Sequence, residues 1–168
     1  FPKDAELAVP EPVANGKSEV FSMINIASNK VSYARIDSFT HDSVSKLAED
    51  AGMIAGFSKK SSGIVIDLRN SSGGDNAAAI MAACFFCPSG KVPQVPEIKD
   101  VKRLFKLPVV ILVSGKTRDA SELFASIMER AGCAMIIGHP TGGGFYSVKA
   151  VETSSGARLL IPDIPPEL

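Results

Sequence analysis

Residues 108–144, PVVILVSGKTRDASELFASIMERAGCAMIIGHPTGGG, constrain the fold more than any other stretch of this chain. Residues 109–113 form an unbroken apolar, largely β-branched run, the pattern of a strand buried on both faces. Ser114 and Gly115 interrupt it, and a helical pattern begins near Asp119. Leu123, Phe124, Ile127, Met128 and Ala131 then recur at the spacing of one buried helix face. Gly132 stops that helix, residues 134–137 predict a second buried strand, and residues 138–144 form a glycine-rich turn. Strand, sharp turn, helix, strand and glycine loop is the order in which α/β proteins present reactive groups at strand ends.

Upstream, residues 63–68 predict a strand, followed by the loop 70–76 (NSSGGDN) and a helix over residues 77–87. A glycine pair at a strand end lets backbone N–H groups come close to a substrate oxygen, although an ordinary turn that needs positive φ uses glycine equally well. Three motifs stand in order here: DLRNSSGG at 67–74, PVVILVSGKTRDASELFA at 108–125 and GHPTGGG at 138–144. Together they resemble the core of the tail-specific, C-terminal-processing serine peptidases of family S41. Tricorn-like proteases and the modules of interphotoreceptor retinoid-binding protein are further members of that family. The resemblance runs from about residue 31 to 162 and implies an α/β, crotonase/ClpP-like core of repeated strand-helix units.

The family's functional positions carry over one by one. Its helix opens with a pattern like S-A-S-A-S-E, whose middle Ser is the nucleophile. In this frame residues 116–122 read KTRDASE, so the nucleophile position is held by Asp119. The lysine base of the tail-specific branch falls on Gly144, and other branches take a histidine from a segment before the core. Gly73 and Gly74 match the oxyanion-hole loop, with the N–H groups that open the Asp119 helix, Ala120 among them, as the other donors. Ser121 lies two residues beyond the nucleophile position, a rotation of about 200° on a helix, so it is not expected to substitute. His139, just before the glycine turn, stands where relatives often carry Glu. His41, at the start of an earlier helix, is the other histidine, a catalytic candidate whose simpler reading is a solvated loop residue.

Asp119 also has a purely structural reading. Asp119 and Glu122 have the spacing of a capping box, and a carboxylate is favourable at the positive end of a helix. The same charge opposes a developing oxyanion. The resemblance therefore implies a peptidase-family domain with impaired catalysis that still binds an extended peptide or a C-terminal segment. Two alternatives stay open. One is an active serine peptidase whose missing residues come from another segment or subunit. The other is a module for a hydrophobic ligand, as in the retinoid-binding relatives.

The 168 residues fit about one domain, and with 45% hydrophobic residues the chain has the material for a core. Eighteen basic and eighteen acidic residues cancel without forming a basic stripe, which argues against nucleic acid as a partner. No apolar run is long enough to span a bilayer. The family resemblance alone implies an extracytoplasmic or secreted setting. Cys84 and Cys87 form a C-x-x-C, and a zinc site would have only Cys133, His41 and His139 to complete it. The simpler reading packs the three cysteines as small apolar residues, so neither a metal nor a cofactor is expected.

Residues 1–17 are rich in Pro, Ala, Val and Glu without periodicity and read as a linker or docking arm, leaving 18–168 as the core domain. An upstream domain or an oligomer partner fits such an arm. Residues 19–26 and 31–37 predict an N-terminal hairpin, and Thr40 or Asp42 caps a helix expected to reach about residue 57. Residues 59–62 read as a polar turn and 88–106, with their prolines, as a surface loop. Residues 145–151 and 158–161 predict two further strands, and the prolines of the closing IPDIPPEL argue against regular structure there.

Overall fold

The computed structural model describes residues 21–26, 31–45, 47, 62–93, 98, 101–144 and 147–163. The expected arm at 1–17, the hairpin turn at 27–30, the end of the first helix beyond residue 47 and the chain after residue 163 lie outside them. So does most of the polar turn at 59–62.

Seven strands and two full helices are described: β1 (Phe21–Ile26), β2 (Val31–Ile36), β3 (Gly63–Asp67), α1 (Asn76–Phe86), β4 (Val109–Val113), α2 (Ala120–Arg130), β5 (Met135–Gly138), β6 (Ser147–Glu152) and β7 (Arg158–Asp163). The first five strands form one sheet in sequential order, and β6 pairs with β7 separately. β1 runs antiparallel to β2 as the expected hairpin, and β2, β3, β4 and β5 are parallel. Parallel neighbours joined in sequence need crossovers of the same hand, which place the intervening helices on one face of the sheet. α1 and α2 accordingly pack against each other. The mixed α/β architecture with repeated strand-helix units is the one expected from the sequence.

Alternation in the strands explains the core. Ile64, Ile66 and Leu68 point to the helices, as do Val109, Ile111 and Val113, and all six are buried. α1 meets them with Ala78, Ala79, Ala82 and Ala83, small residues that let the helix lie close to the sheet. α2 contributes Phe124, Ile127 and Met128. Phe124 lies tilted against Phe39 at 5.1 Å between ring centroids and meets Phe86 edge-on at 6.2 Å, joining the two helices to the loop after β2. Each such buried side chain contributes about 1.5–3 kcal/mol relative to exposure.

Two expectations are corrected. The 134–137 segment is a strand, but it is not buried: Met135 is 64% and Ile137 49% exposed. β5 stands at the edge of the sheet, and these two side chains project from the face opposite the helices. Pro162 falls inside β7, opposite Val148, where no regular structure was expected. A two-stranded ribbon consists only of edges, and there a residue without an N–H is tolerated.

Candidate functional site

The loops at the C-terminal ends of β3, β4 and β5 converge, which is where ligands of open parallel sheets are held. Side chains tie the first two together. The Thr117 hydroxyl donates to the Leu68 carbonyl (2.7 Å) and the Ser114 hydroxyl to the Arg69 carbonyl (2.5 Å). The Arg118 N–H donates to the Ser71 carbonyl (3.2 Å). The β5 loop joins through the Gly142 N–H, which donates to the Thr117 carbonyl (2.9 Å).

Asp119 sits at the centre, between β4 and α2, with φ 51° and ψ −125°. It is the only non-glycine residue with positive φ among the described residues. A side chain held in this part of backbone space costs about 1–3 kcal/mol and persists only where the surroundings fix it. Here they do. The Asp119 N–H donates to Glu122 Oε2 (2.8 Å), and its carbonyl accepts from the Glu122 and Leu123 N–H groups (2.8 and 3.2 Å). A sharp, strained turn from strand to helix is how a nucleophile is lifted clear of a sheet.

The capping box expected at Asp119 and Glu122 is present. The Glu122 carboxylate accepts from the Asp119 N–H, and the Asp119 side chain faces the Glu122 N–H, which also bonds to the Asp119 carbonyl at 2.8 Å. A second aspartate cap is Asp75, whose Oδ1 accepts from the Ala78 N–H at 2.8 Å to open α1. That role was missed in the sequence, although Asp directly before an alanine-rich helical run is a cap signal.

Gly73 lies directly against Asp119. A Cβ on Gly73 would stand 2.6 Å from the Asp119 Cβ and 2.9 Å from the Arg118 carbonyl oxygen. One on Gly74 would stand 2.2 Å from the Phe39 carbonyl oxygen, and both glycines have positive φ, 95° and 123°. No side chain fits at either place. The Gly73 carbonyl accepts from Phe39 N–H (2.7 Å), which pins the pair to the strand-like segment after β2. Among the described residues the Gly73, Gly74 and Ala120 N–H groups donate to no protein acceptor. The three expected oxyanion-hole residues thus carry uncommitted donors on the two loops that meet at Asp119.

The remaining sequence candidates separate from this centre. Ser121 is fully buried and shares a 2.6 Å hydrogen bond with the Ser71 hydroxyl, so it braces the two loops from beneath. Gly144 is exposed with φ 105° and open space around its Cα. His41 and His139 are both exposed, and among the described residues no hydrogen bond joins either imidazole to Asp119. No group of three or more His, Cys, Asp or Glu side chains among the described residues could hold a metal ion.

One polar cluster escaped sequence reading. Tyr33 Oη donates to Asp67 Oδ2 (2.5 Å), and Arg69 grips the same carboxylate through Nε (3.0 Å) and Nη2 (2.7 Å). Burial pushes the Tyr33 hydroxyl up to about 12, helped by Asp67. Burial also pushes Asp67 upward, but hydrogen bonds from Arg69 and Tyr33 outweigh it and hold the carboxyl below its ordinary value. The cluster anchors the start of the β3 loop, because Asp67 Oδ1 also accepts from the Arg69 N–H (2.9 Å).

Residues 30–162 match the sequence profile of Peptidase family S41. The chain belongs to that family. It is 25% identical over 157 residues to the chloroplastic carboxyl-terminal-processing peptidase 2 of Arabidopsis thaliana, covering 86% of this chain and 30% of the relative. Among solved structures it resembles the photosystem II D1 C-terminal processing protease, with a TM-score of 0.64 and 19% identity over 84% of this chain and 41% of that one. A lipoprotein from Streptococcus agalactiae shares the fold with a TM-score of 0.61 and 15% identity, over 84% of this chain and 57% of that one. The S41 chain described here spans less than a third of the length of the curated relative. Among its described residues no helix is long and apolar enough to cross a membrane.

Proposed function

We propose that this S41 domain keeps the peptide-holding half of a peptidase site, lacks the covalent half, and binds extended peptides or C-terminal segments without cleaving them. The observation that carries this reading is Asp119 in the strained turn between β4 and α2, against Gly73 and beside the free N–H groups of Gly73, Gly74 and Ala120. Those donors suit a peptide carbonyl. A carboxylate at position 119 offers no hydroxyl to add to that carbonyl, and it puts negative charge where an oxyanion would have to form. Ser121 does not replace it, being buried and bonded to Ser71. At the lysine position, Gly144 supplies no base.

The test uses fluorescein-labelled, reduced and carboxymethylated α-lactalbumin, a permanently unfolded chain. Its anisotropy should rise saturably on titration with the protein while its mass stays unchanged. Gly73→Ala, checked for folding by circular dichroism, should weaken binding by at least tenfold. No binding by the folded parent, or fragments of the probe, would reject the reading.

A further inference from the structure

α2 ends in a Schellman motif. The Gly132 N–H donates to the Glu129 carbonyl and the Cys133 N–H to the Met128 carbonyl, both at 2.8 Å, with Gly132 at φ 66°. This motif brings the residue after the glycine back over the last turn of the helix, so Cys133 lies over Met128. Met128 is fully buried, and its Sδ is 3.5 Å from the Cys87 Sγ. Cys87 caps the C-terminus of α1 and is 1% exposed. Cys133 is half-buried, and both thiols are free. The ends of the two helices therefore meet at Met128, which Cys87 touches with its thiol and Cys133 with its N–H, while the Cys133 thiol lies 3.7 Å from the Ala131 carbonyl.

We propose that Cys87 and Cys133 are a latent disulfide pair that an oxidising thiol buffer closes in the folded protein, clamping the C-terminal end of α1 to that of α2. Cys133, the more accessible thiol, attacks first. Its thiolate displaces one thiol from a low-molecular-weight disulfide, giving a mixed disulfide on Cys133. The Cys87 thiolate then attacks the Cys133 sulfur and releases the second thiol. Two protein thiols lose two electrons and two protons, and the small disulfide gains them as two thiols. Burial, with the neighbouring Cys133 thiol adding to it, pushes Cys87 up to about 12. The second step is therefore the slow one and quickens as pH rises, while the mixed disulfide on Cys133 accumulates near neutrality. The closed loop would contain β4, the Asp119 turn and α2, so oxidation would stiffen the frame of the site without touching it.

The test incubates the native chain with oxidised glutathione at pH 8.5, blocks remaining thiols after acid quenching, and maps the linkage by mass spectrometry. Trypsin alone leaves Cys84 and Cys87 in one peptide, so chymotryptic cleavage after Phe85 or Phe86 is added to part them. The expected result is a Cys87–Cys133 cross-link with Cys84 free, a raised thermal midpoint that a dithiol reductant reverses, and the same cross-link in Cys84→Ser. At pH 7 the glutathione adduct on Cys133 should dominate early samples. A persistent adduct on Cys133 without cross-link at pH 8.5 would overturn the proposal. A Cys84–Cys87 bridge, or a Cys87–Cys133 bridge formed only in urea, would overturn it as well.

Discussion

Glu122 holds Asp119 and Gly143 with the two oxygens of one carboxylate: Oε2 accepts from the Asp119 N–H at 2.8 Å and Oε1 from the Gly143 N–H at 2.9 Å. One side chain thus fixes the strained turn and the glycine loop after β5 relative to each other. Hydrogen bonds to a charged group contribute about 1.5–3 kcal/mol each when well made, and less where water reaches them. Glu122→Ala should lower stability by about 2 kcal/mol, and Glu122→Gln, which keeps one acceptor oxygen, by about half of that. Urea denaturation checks the ranking. An unaltered midpoint for Glu122→Ala would show that the clamp contributes nothing.

At Asp119 the backbone conformation can be separated from the side chain. Replacing it with Ala or Gly alike removes a negative charge from the positive end of α2, worth about 0.5 kcal/mol, and the Asp119 half of the capping box. Ala inherits the strain of φ 51°, whereas Gly escapes it at some entropic cost in the unfolded chain. Asp119→Gly should therefore be about 1 kcal/mol more stable than Asp119→Ala. Thermal denaturation of the two variants decides it, and equal stability would mean that the turn is unstrained.

This position shows how far the sequence could be read. The apolar run of β4 and the spacing of Leu123, Phe124, Ile127 and Met128 reveal strand and helix because burial imposes their periods. The glycine pair 73–74 is legible because only glycine tolerates the contact with Asp119 and Phe39. The spacing of Asp119 and Glu122 reveals their capping box but cannot report the positive φ of Asp119, and the cap made by Asp75 went unread. The Tyr33–Asp67–Arg69 cluster joins residues 34 positions apart and depends on parallel pairing of β2 with β3. No local pattern encodes that register. The exposure of β5 was missed for a similar reason: an apolar run does not say whether its strand lies at the edge of a sheet.

That cluster makes a pH prediction. Tyr33 is raised to about 12 in the folded state against about 10 when unfolded, so the folded chain holds its proton more tightly. Its contribution is complete below about pH 10 and is lost as pH rises toward 12. Asp67, lowered by folding, contributes above the ordinary carboxylate range, and this is lost as pH falls through its folded value. Tyr33→Phe should remove part of the alkaline loss while leaving an acid loss in place. An unchanged slope of stability against pH between about 10 and 12 would assign the loss to other groups.

A serine at position 119 should not by itself confer hydrolysis. Asp119→Ser places a hydroxyl in the strained turn, yet Gly144 still offers no base to take its proton. The variant should fold like the parent and leave carboxymethylated α-lactalbumin intact on electrophoresis. Turnover would reveal a base that the turn at residues 139–144 does not supply.

The most direct test of a peptidase frame without its nucleophile is the intact mass of the unaltered chain after prolonged exposure to a fluorophosphonate. Asp119, buried Ser121 and the lack of a base at Gly144 predict no added mass while the protein stays folded. One phosphonyl group per chain on any serine, lost on unfolding before exposure, would contradict the account and identify the nucleophile it denies.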